Sequence, residues 1–449
     1  MDPRRLRYPD VIPAQNAAAD RAGRRTRSHA PPGRERTGAH GAPRDTKLVY
    51  FEPHWFAQAD DLTLFIDNPP KGYQYSIKPT GLYKWIDQNP VLQRLKHHLL
   101  SRVLPTNLLK SSLERGQRPP KGTALTHAVN HLVFRDEPWV VEVEHPALLL
   151  DDRLEWLNSG FYRRVLERRL RSPSCRKIFT YTRAAQDSIL NNLDCSGFEE
   201  KLAWVPLAAP PAEGFTRVPR QDGKVRLLFV GSRNYPSVFY SKGALEVLES
   251  FVILRQRYPY LELYFRGVIP PLLKRDFEGV PGLHPLEELL PGQALRDLYG
   301  SSDVFVYPAH MTPRLAILEA MSYELPVVTI DAHANAELVT DGVSGFVIRR
   351  SQRLTYLWDA AINQGKPILR TSAPFGGPLW RTDERVIGDL VEKVSILIEN
   401  EGLRRSMGVA GRQTVEHGIH SMTYRNWKLK EVLDDATNEV GASLLKVDR

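Results

Sequence analysis

Apolar runs and apolar–polar alternations divide this chain into strand–helix units twice over, on either side of a patternless break near residue 215. In the first half, LVYFEPHWF (48–56) reads as an opening strand, and a long polar stretch with helical spacing follows it. PWVVEVEHPALLL (138–150) sets Val141 and Val143 against Glu142 and Glu144 and reaches a strand end at His145-Pro146. KIFTYT (177–182) predicts a buried strand, RAAQDSILNNL (183–193) a helix, and WVPLAAPP (204–211) a short strand broken by prolines. The pattern restarts with VRLLFVG (225–231), a buried strand, and KGALEVLESFVILRQRYP (242–259), a helix that Pro259 stops. LELYFRG (261–267), LPVVTID (325–331) and GFVIR (345–349) predict further strands, and between them LRDLYGSSDVFVYPA (295–309) reads as a helix then a strand and LAILEAMSYE (315–324) as a helix. Strands alternating with helices imply βαβ units around parallel sheets. The expected fold is therefore α/β, with two Rossmann-like doubly wound halves facing a cleft and helices closing the C-terminus.

The domain boundaries follow from the breaks. Residues 1–46 form a tail without apolar periodicity, 47–213 the first Rossmann-like domain and 214–224 a linker rich in Pro, Gly and charge. Residues 225–388 form the second domain and 389–449 the terminal helices. A chain of 449 residues exceeds the size at which one core stops growing, which agrees with two domains. The net charge of +9 points toward nucleic acid, but the stretch from Met1 to Lys47 carries ten Arg and one Lys against five acidic residues. Most of the excess thus sits in the tail, which is expected to be disordered, either as a basic arm for an anionic surface or as an inert extension. Two cysteines, Cys175 and Cys195, make no disulfide framework, and no apolar run is long enough for a signal peptide or a membrane span. A cytoplasmic location is expected.

Ligands of such folds bind beyond the carboxyl ends of the strands. Neither half carries G-x-G-x-x-G or a P-loop, so a diphosphate needs another grip. Arg233, two residues past the strand-ending Gly231, and Lys242, at the start of the next helix, would meet one anion there. The ordered series FVGSRNYPSVFYSKG, ALEVLESFVILRQRYP, LRDLYGSSDVFVYPA, ILEAMSYELPVVTID, AELVTDGVSGFVI and LRRSMGVAGRQTVEH resembles the donor half of the family-4 retaining glycosyltransferases of the GT-B fold.

The resemblance implies transfer of a sugar from a nucleoside-diphosphate sugar to an acceptor, with retention of configuration and with neither metal nor cofactor. It assigns Arg233 and Lys242 to the donor diphosphate and Glu319 to the ribose hydroxyls, so that the expected donor contacts are Gly231, Arg233, Lys242, Arg314, Leu315 and Glu319. The family's first Glu of a pair is replaced by Met311, and its glycine turn by Thr312, Pro313 and Arg314. Arg314 adds a cation there as a substitute phosphate ligand or a solvent-facing side chain. From the first half His145 is the candidate catalytic residue beside the donor sugar, with His54 a weaker one, while Glu142 and Glu144 fit a strand face or local pairs. The segment 153–177, eight basic residues against two acidic ones among Trp156, Phe161 and Tyr162, fits a solvated helix, an anionic acceptor or the surface of an anionic membrane. No stacking platform or reading helix supports nucleic acid. Two rival readings remain: a silent nucleotide-sugar-binding protein and a nucleotide-sugar epimerase.

Overall fold

The computed structural model describes residues 46–52, 60–77, 105, 108, 111, 112, 118–151, 154–231, 238–288, 290–311, 315–353 and 382–444. The tail expected over 1–46 thus falls, except for its last residue, outside the described residues. The first half is built on β1 (Lys47–Glu52), β2 (Tyr73–Ser76), β3 (Thr123–Val129), β4 (Trp139–Glu142), β5 (Cys175–Thr180) and β6 (Leu202–Trp204). Between them run α1 (Asp60–Asp67), α2 (Leu154–Leu157), α3 (Gly160–Arg171) and α4 (Arg183–Asn192). The strands lie in the order β2-β1-β3-β4-β5-β6, all neighbours parallel.

The second half carries β7 (Val225–Val230), α5 (Ala244–Arg257), β8 (Leu261–Arg266), α6 (Pro271–Phe277), β9 (Leu283–Leu286), α7 (Gly292–Ser301) and β10 (Val304–Val306). Then come α8 (Ala316–Ser322), β11 (Val327–Ile330), α9 (Asn335–Leu338) and β12 (Gly345–Ile348). Its order is β12-β11-β10-β7-β8-β9, again parallel throughout. Three helices close the chain: α10 (Glu384–Glu399), α11 (Glu401–Glu416) and α12 (Met422–Leu444). Both halves belong to one compact unit, Thr46–Arg449.

Continuous apolar runs form the central strands because helices cover both faces of a parallel sheet. In β7, Leu227, Leu228 and Phe229 are all buried, and Phe229 stacks on Phe265 of β8 with centroids 4.8 Å apart. Each such aromatic contributes on the order of 2 kcal/mol by leaving water. The stretch after residue 56, expected to be polar and helical, contains β2 and β3. Thr126 and His127 are buried in β3, the sheet supplying neighbours that a hydropathy pattern does not show. The strand expected to reach His145 stops at Glu142, and the one expected over 204–211 is instead β6, ending at Trp204, before Pro206.

The terminal helices divide between the halves. α10 packs on α5 and α11 on α8, whereas α12 returns to β3, β4 and β5. There Leu429 and Leu433 enter the core of Val49, Phe51 and Val140, and Tyr73 donates its hydroxyl to Asp434 at 2.7 Å. The chain therefore crosses between halves twice, at 205–224 and at 417–421.

Candidate functional site

Strand order locates the crevice in each half. From β7 the second sheet grows one way through β8 and the other way through β10, so the switch point lies at the carboxyl ends of β7 and β10. Lys242 follows β7, in a short 3-10 turn Tyr240–Lys242, and Tyr307 follows β10 directly. Lys242 Nζ stands 6.0 Å from the centre of the Tyr307 ring. The Tyr307 hydroxyl is buried without a hydrogen-bond partner among the described residues, and burial followed by the charge of Glu319 pushes its pKa upward. Tyr307 thus lies beside both Lys242 and Glu319.

The local backbone explains why Lys242 sits there. Gly243 has φ 74° and ψ 22°, and a Cβ on it would come within 2.3 Å of the Pro308 carbonyl oxygen. His310 donates its backbone N–H to Ser241 O at 2.8 Å, and its ring lies 2.9 Å from the buried Glu246 carboxylate in the first turn of α5. Those contacts key the start of α5 to the loop after β10. Gly243→Ala is expected to push the two apart and lower the melting temperature of the protein, read by a thermal melt beside the wild type.

Glu319, on α8, accepts the hydroxyl of buried Tyr299 at 3.1 Å. Burial, and then the Glu319 charge, raise the Tyr299 pKa well above its usual value, so the phenol keeps its proton. Leu315 is buried at the cap of α8, its carbonyl accepting Glu319 N–H at 2.7 Å. Gly231 ends β7 with both backbone groups engaged by Arg266, N–H to carbonyl at 2.6 Å and carbonyl from Nη1 at 2.8 Å. Met311 places Sδ 3.4 Å from Ser241 Oγ, one residue from Lys242. Arg233 and Arg314 lie outside the described residues, as do Thr312, Pro313 and His54. Two strands along the same carboxyl edge, Ile269, Lys274, Phe277, Leu286, Glu287 and Leu290 line a cavity of about 730 Å³.

In the first half the switch point falls between β1 and β3. Glu52 ends β1, and Arg135, in the loop after β3, holds its carboxylate through two hydrogen bonds of 2.5 and 3.3 Å, with His131 Nε2 at 3.5 Å. Burial would raise the Glu52 carboxyl, but hydrogen bonds and charge from His131 and Arg135 overrule it and hold the pKa at about 2. Glu142 ends β4 and accepts the Tyr181 hydroxyl at 2.5 Å, while Glu144 donates its N–H to Asn130 at 2.9 Å.

His145 lies three residues past β4 and caps the 3-10 turn Pro146–Leu150, Nδ1 accepting Ala147 N–H at 3.0 Å. That bond leaves the proton on Nε2. His145 is fully buried, and burial first, then the electrostatic influence of His145, drive the pKa of His333 in the second half well below its usual value. Sequence reasoning missed Tyr307, Tyr299, His310, His333 and the Glu52–Arg135 pair.

On α3, Arg169 donates to the Val133 and Arg135 carbonyls and Arg171 to Asp194, so part of the basic stretch serves internal packing. Phe161 on the same helix is 67% exposed. Among the described residues no three His, Cys, Asp or Glu side chains are placed to hold a metal ion, and no helix is long and apolar enough to cross a membrane.

Two parallel six-stranded sheets in one unit, each with helices on its faces and its own switch point, define a GT-B fold. Residues 224–362 match the family described as Glycosyl transferases group 1. The sucrose-phosphate synthase structure from Thermosynechococcus elongatus superposes with a TM-score of 0.57 at 12% identity, covering 89% of this chain and 100% of that one. A glycosyltransferase structure from Rickettsia africae ESF-5 gives 0.54 at 12% identity, covering 88% and 99%. Anabaena Alr3699/HepE in complex with UDP gives 0.51 at 13% identity, covering 87% and 100%. No curated protein matches the chain. The chain thus resembles the group 1 glycosyltransferases, in fold over most of its length and in family over residues 224–362.

Proposed function

We propose that the protein is a retaining, metal-independent glycosyltransferase that takes a sugar from a nucleoside-diphosphate donor. The observation that carries this is the meeting of Lys242 and Glu319 around Tyr307 at the switch point of the second sheet. A cation and a carboxylate near one aromatic ring suit the two ends of a ribose diphosphate: Glu319 accepts from ribose hydroxyls, and Lys242 faces the phosphates. When the glycosidic bond breaks, negative charge grows on the β-phosphate, and a fixed cation stabilises it there. In this reading Arg233 and Arg314 add to that charge, Gly231 and Leu315 border the donor, and the cavity beyond β8 and β9 takes the base. At about 730 Å³ the cavity has the volume of a small-molecule site. The acceptor enters from the first sheet, past His145.

Thermal stabilisation across UDP, GDP, ADP and TDP tests the donor. HepE was solved with UDP, which makes UDP the first to try. At about 100 times its dissociation constant the matching nucleotide is expected to stabilise the fold by about 2.7 kcal/mol. No response to any of the four would remove the donor site. Met311 beside Ser241, where the family carries a Glu, favours the silent-binder rival. Release of nucleoside diphosphate from the donor sugar decides between them.

A further inference from the structure

We propose that Glu337 is a positioning residue that clamps the two halves of the enzyme together beside the points where the chain crosses between them. Glu337 stands on α9 of the second half, and its carboxylate accepts Arg183 N–H at 2.7 Å and Ala184 N–H at 2.8 Å. Those are the first two amides of α4, a helix of the first half. The third, Ala185 N–H, is taken by the helix's own cap, Thr182 Oγ1, at 3.0 Å. One carboxylate of the second half therefore satisfies two N–H groups that the first half leaves open. The positive end of the α4 dipole adds to the attraction.

The clamp stands beside both chain crossings. His420, in the returning segment, has Nδ1 2.7 Å from the carbonyl of Leu207 in the outgoing segment and Nε2 3.3 Å from the carbonyl of Glu337. Paired domains move relative to each other unless something fixes them, and motion concentrates at such crossings. Glu337 holds the halves where a small rotation would pull the two amides away. Four residues earlier, just before α9, is His333, whose pKa is lowered first by burial and then by His145 of the first half. A carboxylate on α9 thus sets how close the start of α4 comes to the second half. Burial raises the Glu337 pKa against the pull of the two amides, the cost of keeping a carboxylate at this junction.

The consequence for turnover rests on the glycosyl-transfer reading, but the clamp itself is measured without activity. Glu337→Gln keeps the shape and turns one acceptor oxygen into a donor that faces an N–H. Expected are an increase of about tenfold or more in hydrogen exchange at the Arg183 and Ala184 amides and a larger radius of gyration by X-ray scattering. Nucleotide affinity should change by less than about twofold, while kcat falls by about tenfold or more at unchanged donor KM. Glu337→Asp, a shorter carboxylate, should give an intermediate opening, which guards against a general folding defect. Thr182→Ala frays α4 without touching the clamp and should leave the scattering unchanged. Unaltered exchange and scattering in Glu337→Gln, or equal opening in Thr182→Ala, overturns the proposal. If Glu337→Gln opens but no nucleotide binds the wild type, the clamp stands and the glycosyl-transfer reading falls; if nucleotide binds and Glu337→Gln stays closed, the reverse holds.

Discussion

Arg135→Ala is expected to destabilise the protein by about 3 to 5 kcal/mol at pH 7, because it strands the buried Glu52 carboxylate rather than merely removing a contact. Glu52 and Arg135 are 4% and 5% exposed. The two hydrogen bonds between them act together with His131, at 3.5 Å, against the desolvation of the carboxylate. Glu52→Gln together with Arg135→Met should cost much less than the two single changes summed, since the double variant leaves no buried charge unpaired. The pH dependence has a fixed sign. The Glu52 pKa is depressed in the fold, to about 2 from 4.5, so its contribution is present above about pH 4.5 and is lost as the pH falls toward 2. That contribution is about 3 kcal/mol. Denaturant unfolding from pH 3 to 7 should show this acid limb in the wild type and a flatter one in Arg135→Ala. A parallel pair of curves would assign the stability elsewhere.

The second half was easier to read than the first for a physical reason. β7, β8, β11 and β12 are short apolar runs between turn residues, as strands covered on both faces must be. β3 carries Thr126 and His127, polar residues that are buried in the sheet where α12 packs on it. His127 is fully buried against Phe51, Phe65 and Phe179, with Tyr75 hydroxyl 3.1 Å from Nδ1. Partners 52 residues and more apart leave no local signature. The same holds at the site. Lys242 and Glu319 were singled out through the ordered resemblance, but the His310–Glu246 contact beside Lys242 spans 64 residues, and the Glu337 contact with α4 spans more than 150. Tyr307 was in plain view as part of a strand. Its meaning came from the sheet order, which puts it at the switch point.

Lys242→Ala is expected to lower sugar transfer by about 100-fold or more while the protein stays folded. Folding is spared because the residue ends a 3-10 turn that other groups fix: Gly243 against Pro308, Ser241 O against His310 N–H, and Glu246 against the His310 ring. None of these uses the ammonium. Catalysis is not spared, because Nζ is the cation held over Tyr307 at the carboxyl end of the sheet, where leaving-group charge would develop. An interaction stronger in the transition state than in the ground state is lost from kcat more than from KM. Lys242→Arg should recover only part of the rate, since a planar guanidinium presents its charge differently from a compact ammonium. Nucleoside diphosphate release from the matched donor measures both variants, with a melting curve to verify the fold. Near-normal turnover in a folded Lys242→Ala protein would return Lys242 to an ordinary surface cation and leave Arg233 to carry the leaving group alone.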